Sequence, residues 1–245
     1  MSFDEALQAV GGVEGWMTDA QARRLWTRAR SLRPGAKVVE IGSYRGRSAI
    51  VLAHAAGTDV QVIAIDPHAG NDRGPQQIHG TVDEGEADHR AFLANLERAG
   101  VAERVRHVRA PSQSALAAVA GEVELLYVDG AHRYAPARDD IARWGGRVAA
   151  GGTMLIHDSF SSVGVTLALA RLLFGSGRWR YAGRDGSLAE YRRQPVRGSE
   201  RLVNAGRQVA QLAWFARNLA VKAAILTGAR PVARVLGHRE GPWPY

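Results

Sequence analysis

Five short apolar runs, each followed by a helical pattern, limit what this chain can fold into. They are "KVVEIG" (37–42), "VQVIAID" (60–66), "RVRHVRA" (104–110), "VELLYVD" (123–129) and "TMLIHD" (153–158). Helical patterns follow over 47–56, 87–99, 113–119, 136–148 and 163–174. Strands this short and apolar are buried on both faces, and strict alternation with helices makes a parallel sheet covered on each side. Two later runs, "RWRYAG" and "SLAEYRR", flank a turn at Arg184–Gly186 and read as an antiparallel hairpin on the sheet's edge. Ahead of the first strand, Thr18 and Gln21 form a capping-box pattern; Leu25, Trp26, Ala29 and Leu32 supply an apolar stripe before Pro34-Gly35. The expected fold is α/β and doubly wound, mostly parallel with an antiparallel edge hairpin.

Ligands of such sheets bind beyond the carboxyl ends of the strands. Those ends carry Glu40, Asp66, Asp129 and Asp158. The first of them opens a glycine-bearing turn, "VVEIGSYRGRSA" (38–49). Gly42 and Gly46 do not have the G-x-G-x-x-G spacing of dinucleotide sites, and Glu40 would repel a pyrophosphate, which disfavours a nicotinamide-dependent reductase. A carboxylate at Glu40 can pair with a cationic amino group, and Asp66, about twenty residues beyond the turn, suits ribose hydroxyls. A ligand with a ribose and no phosphate fits both, and S-adenosylmethionine is such a ligand.

Charge and composition restrict the setting. With no cysteine, disulfides and thiolate zinc sites are excluded, and a cytoplasmic location is the simplest expectation. The first sixteen residues lack the basic start and apolar core of a signal peptide. No uninterrupted run of eighteen apolar residues exists, so no membrane span is expected. The net charge of +8 would prompt a nucleic-acid reading, but residues 196–245 hold eight Lys/Arg against Glu200 and Glu240. The basicity therefore lies outside the motif-bearing part, where no aromatic-interleaved basic groove is visible, and no DNA partner is expected.

The chain divides at Pro195 into a motif-bearing domain, 1–195, and a basic amphipathic helical C-terminal extension, 196–245. In the extension Val209, Leu212, Ala216, Leu219 and Ala223 fall at helical spacing, with Arg207, Gln211, Asn218 and Lys222 on another face. A long helix packing on the domain or on a second subunit is expected, with contact to an acidic membrane surface as the minority reading.

In their order and spacing, "VVEIGSYRGRSA", "AIDPH", "LLYVDGAHRY" and "GGTMLIHDS" resemble class I S-adenosylmethionine-dependent methyltransferases over residues 35–195. More narrowly, they are similar to metal-dependent O-methyltransferases acting on sugar hydroxyls, such as those of macrolide sugars or mycobacterial polysaccharides. The resemblance implies a Rossmann-like methyltransferase sheet that binds S-adenosyl-L-methionine. It places Glu40, Gly42, Ser43 and Tyr44 around the methionine part, Asp66 on the ribose, Pro67 and His68 beside the adenosine, and Ser112 and Gln113 near the adenine. Asp129, also counted with the cofactor, joins His157 and Asp158 as ligands of a divalent ion, Mg2+ or Mn2+. His132 takes the position of the catalytic base. His157 departs from the family pattern, which has an oxygen donor there; magnesium prefers oxygen, whereas manganese or zinc accept imidazole more readily.

The chemistry agrees with that pattern. A sugar hydroxyl must lose its proton as it attacks the sulfonium methyl; a divalent ion lowers its proton affinity, and an imidazole within reach takes the proton near neutral pH. Plainer readings make Asp158 a helix cap and His132 a turn residue. Asp139 and Asp140 fall in the first turn after Pro136, suit the helix dipole, and receive no catalytic role. The long polar loop His68–Arg90 reads either as a lid, with Asp72, Arg73 and His79 as candidate contacts for a carbohydrate substrate, or as a merely disordered loop. Tyr134 and Trp144 read chiefly as packing residues, Tyr134 standing also among the substrate candidates. Two alternatives remain: a catechol or phenol O-methyltransferase, and a non-catalytic RNA- or membrane-binding module using the basic tail.

Overall fold

The computed structural model describes residues 1–72 and 79–238. Its centre is a seven-stranded sheet in the order β3-β2-β1-β4-β5-β7-β6. Strands β1 (Lys37–Ile41), β2 (Gln61–Ile65), β3 (Val105–Val108), β4 (Val123–Val128) and β5 (Val148–Ile156) are mutually parallel. The hairpin of β6 (Trp179–Asp185) and β7 (Leu188–Arg193) closes one side, its second strand pairing antiparallel with β5. The strand order reverses between β1 and β4, which are neighbours; that is where a crevice opens in such sheets.

Alternation along each strand sends side chains to two separate cores. Val38, Val62 and Leu125 join Leu25 and Ile50 from α2 (Asp19–Arg30) and α3 (Arg47–Ala55) on one face. Val39, Ile63 and Leu126 join Trp144 and Leu169 from α6 (Tyr134–Gly145) and α7 (Val163–Leu172) on the other. At the closed side, the fully buried Glu190 of β7 receives Arg24 at 2.7 Å and Arg28 at 2.9 Å, both from α2. Removing either arginine would leave a buried charge short of a partner.

Several boundaries differ from the sequence expectation. A helix before the Thr18 capping box, α1 (Phe3–Ala9), has its own capping box from Ser2 and Glu5. Helix α4 (Val82–Arg98) begins five residues earlier than expected, inside the stretch read as lid, because Thr81 and Glu84 form a third capping box. The helix expected over 113–119 is one α-turn, α5 (Ser112–Ala115), and a 3-10 turn. Helix α6 starts at Tyr134, ahead of Pro136, which places Asp139 and Asp140 beyond its first turn.

Among the described residues the C-terminal extension is three helices, α8 (Ser199–Val209), α9 (Leu212–Leu226) and α10 (Arg230–Val235). Its orientation runs against ordinary amphipathic packing. Asn204, Gln208 and Asn218 face inward and are buried. Asn204 accepts from Tyr181 N at 2.8 Å and donates to Trp179 O at 3.0 Å; Asn218 donates to Phe160 O at 3.0 Å. Trp214 and Phe215 also pack on the domain. Leu202, Val209, Leu212, Leu219 and Leu226 point outward and are exposed. The helical stretch Ser199–Leu226 contains an 18-residue window of mean hydropathy 1.2 and is long and apolar enough to cross a membrane by length and composition, although it holds no uninterrupted apolar run of that length.

Candidate active site

One further backbone bond beyond each parallel pairing holds the strand tips together. Gly42 N donates to Ile65 O at 2.9 Å, Asp129 N to Ile41 O at 2.8 Å, and His157 N to Val128 O at 2.9 Å. These bonds bring Asp129, His157 and Asp158 to one end of the β1/β4/β5 crevice, with His132 on the loop between β4 and α6.

Two carboxylates and two imidazoles converge there. His157 Nδ1 lies 3.1 Å from Asp129 Oδ1, and His132 Nε2 lies 3.0 Å from Asp158 Oδ2 and 3.9 Å from Asp129 Oδ1. Donor atoms of Asp129, His132 and His157 all lie within 4.8 Å of one another, close enough to hold one metal ion. Asp158 Oδ1 is buried and has no hydrogen-bond donor among the described residues, which leaves an acceptor facing into the cluster. This donor set fits a divalent cation that tolerates nitrogen, such as manganese or zinc, better than magnesium.

Burial alone would push the Asp129 carboxyl up, but the charges and hydrogen bonds of His157 and His132 hold it well below the usual carboxylate range. Burial opposes charge on His157, yet Asp129 and Asp158 carry its pKa up to about 9. The same contest raises His132, burial being outweighed by Asp158 and Asp129. Tyr127, two residues before Asp129 on the same strand face, donates its hydroxyl to Asp129 Oδ2 at 2.7 Å and fixes that carboxylate. Helix α7 supports the loop from behind. Ser162 Oγ donates to His132 O at 3.0 Å, and a Cβ on Gly164 would come within 2.3 Å of the same carbonyl. Ser162 is the N-cap residue of α7, so Asp158 is not its cap.

A cavity of about 310 Å³ runs from this cluster along the tips of β1 and β2. Gly42, Ser43, Tyr44, Asp66, Pro67, His68, Ser112, Gln113 and Asp129 all line it, as do His132, His157 and Asp158. Asp66 accepts Tyr44 N at 2.8 Å and His68 N at 2.7 Å. The His68 ring is buried among Phe92, His89 and His107, with centroids 5.0–5.4 Å away. Burial, with neighbouring positive charge, lowers the pKa of His68 to about 4.

Three sequence expectations change here. Glu40 is fully buried and off the cavity wall, because its side chain turns to the α3 face and accepts the Ser48 hydroxyl. Burial raises its pKa to about 8. Asp140, read as a partner of the helix dipole with no catalytic role, is buried, accepts the Ser112 hydroxyl and lines the cavity. Asp72 lines the cavity and receives the Arg133 guanidinium at 2.7 Å, whereas His79 and Tyr134 are exposed and off the wall. Arg73 lies outside the described residues.

Sequence reading missed the wall formed by Glu14–Met17, where Trp16 stands 5.5 Å from the Tyr44 ring. Nothing local announces that contact. Five non-glycine residues have positive φ among the described residues: Tyr44, His68, Asp72, Asp158 and Phe160. Four of them line the cavity.

Comparison with known proteins agrees with this arrangement. Residues 39–159 match the family model described as a methyltransferase domain. Solved structures extend the likeness to the fold. The O-methyltransferase TomG from Streptomyces achromogenes, involved in tomaymycin synthesis and in complex with S-adenosylmethionine, is 17% identical, with 78% of this chain and 89% of that one covered at a TM-score of 0.56. The O-methyltransferase from Bacillus cereus in complex with S-adenosylhomocysteine is 15% identical, covering 78% and 90% at 0.56. The O-methyltransferase NovP is 18% identical, covering 72% and 80% at 0.54. No protein of curated function matches the sequence itself. Residues 39–159 form a methyltransferase domain, on a fold shared with S-adenosylmethionine-dependent O-methyltransferases.

Proposed function

We propose that this protein transfers a methyl group from S-adenosylmethionine to a hydroxyl of a carbohydrate, oligomeric or attached to a natural product, with a divalent metal ion, in the cytoplasm. The observation that carries the reading is the convergence of Asp129, His132, His157 and Asp158 at one end of the cofactor cavity. Asp129, His157 and Asp158 would hold the ion, whose charge would make a nearby hydroxyl easier to deprotonate. Asp66 supplies acceptor oxygens for the ribose.

In the transfer, the acceptor oxygen forms a bond to the methyl carbon while the carbon–sulfur bond breaks and its electron pair stays on sulfur. The hydroxyl proton passes to His132 Nε2. Asp158, 3.0 Å from that nitrogen, stabilises the imidazolium that results. His132 cannot serve as base and as ligand at once through the same nitrogen. Measuring metal affinity and methyl transfer on one His132→Ala preparation separates the roles: a base variant keeps the ion and loses transfer.

A phenolic acceptor is compatible with the Trp16–Tyr44 pair on the cavity wall, which offers an apolar ring surface. Aromatic rings also pack against sugar faces, so that pair serves either acceptor. Mass spectrometry of glycans and phenols, incubated with cofactor and with Mg2+, Mn2+ or a chelator, decides. A methyl gained only by glycans and only with metal is the expected result; metal-independent transfer, or transfer to phenols alone, overturns it.

A further inference from the structure

The C-terminal extension has an outer face that the methyl-transfer reading does not use. Along α8 and α9, Leu202, Gly206, Val209, Leu212, Ala216, Leu219, Ala223 and Leu226 recur every three or four residues on the outward side, all exposed. Leu202 is 77% exposed and Leu226 65%. The stripe covers about 36 Å at 1.5 Å per residue. No acidic residue interrupts it. Meanwhile the polar side chains Asn204, Gln208 and Asn218 are spent on carbonyls and amides of the domain. With the inward side already filled by these amides and by Trp214 and Phe215, the outward apolar stripe is left for a second apolar medium outside.

We infer that this face seats the protein on an anionic lipid bilayer, with α8 and α9 lying in the interface. Charge selects this occupant over a second copy. Residues 196–238 carry seven Lys/Arg against Glu200 alone, and Glu200 is held by Arg180 at 2.8 Å. Two copies meeting stripe to stripe would bring these like charges together, whereas acidic headgroups neutralise them. The stripe lies on the membrane rather than across it, because crossing would strip Asn204, Gln208 and Asn218 from their partners and place them in hydrocarbon. Arg207, Arg230 and Arg234 are exposed along the same segment, where headgroup phosphates would meet them.

The test is flotation of the full chain with vesicles of phosphatidylcholine alone or mixed equally with phosphatidylglycerol. Binding to the mixed vesicles is expected, at least about tenfold weaker on neutral ones and weakened by added salt. The triple variant Leu202→Ser, Val209→Ser and Leu226→Ser, all at exposed positions, abolishes flotation without lowering Tm. A second variant, Arg207→Gln with Arg230→Gln and Arg234→Gln, leaves the stripe intact and weakens binding about tenfold. The inference is overturned by no flotation with either vesicle, by flotation that survives both variants, or by a stable dimer in light scattering that the serine variant splits.

Discussion

Gly42→Ala makes a sharp test of how the strand tips are held. A Cβ on Gly42 would lie 2.2 Å from Asp129 O, 2.6 Å from its carbonyl carbon and 2.9 Å from Gly130 Cα. Ordinary contact begins near 3.4 Å, so more than 1 Å must be relieved, and every atom in the way is backbone. Relief has to separate β1 from β4, which breaks the bond from Asp129 N to Ile41 O. Gly35 is the matched control: its φ is +79° against +85° at Gly42, and nothing lies within 4 Å of its Cβ. Left-handed backbone costs both alanines about 1–2 kcal/mol. Gly42→Ala adds about 1 kcal/mol for the lost hydrogen bond and about 1–3 for overpacking. At roughly 2–4 °C per kcal/mol for a chain of this size, Tm should fall by roughly 10 °C for Gly42→Ala and by a few degrees for Gly35→Ala. Calorimetric titration with S-adenosylhomocysteine should show at least about tenfold weaker binding for Gly42→Ala only, since Asp129 moves with the strand tip. Equal Tm losses in the two variants, with cofactor affinity intact in both, would refute the reasoning.

Loss of the base in His132→Ala should leave cofactor affinity unchanged and lower methyl transfer by about 10²–10⁴, read by product formation at saturating cofactor. A chelator should abolish turnover and Mn2+ restore it; His157→Asp should shift the preference toward Mg2+, read as the ratio of rates with the two ions. Folded Glu40 titrates at about 8 rather than 4.5, so the folded chain binds the extra proton between those values and its contribution to stability falls as pH rises through that window. Between pH 5.5 and 7.5, wild type should therefore lose about 2–3 kcal/mol relative to Glu40→Gln in urea unfolding, and parallel profiles would contradict the burial argument. Comparison with that variant removes the parallel contribution of His157, raised to about 9.

The sheet was legible because buried parallel strands are written locally, in apolar runs that end where the ligand sits. Asp129, His132, His157 and Asp158 could be grouped for the same reason: strand adjacency follows from the doubly wound order. Glu40 shows the limit of that argument. It stands one position before the end of β1, and strand parity sends its side chain to the α3 face where Ser48 waits; a reading by parity rather than by position would have placed it. The extension shows another limit. Helical periodicity separates an apolar side from a polar side but does not say which one faces the domain, and here hydrogen bonds from Asn204 and Asn218 decide it. The contact between Trp16 and Tyr44 joins residues brought together only by folding, and no spacing encodes it.

At Tyr44, His68, Asp72, Asp158 and Phe160 the backbone adopts a conformation that glycine enters freely and that costs other residues about 1 kcal/mol each. At the first four, which line the cavity, what the main chain prefers and what the cavity requires are opposed. Replacing Tyr44 or Asp158 by glycine should relax the main chain while removing a ring or a carboxylate that the cavity uses. Stability and activity therefore become separable quantities at the mouth of this site, and selection for thermal robustness alone would erode it.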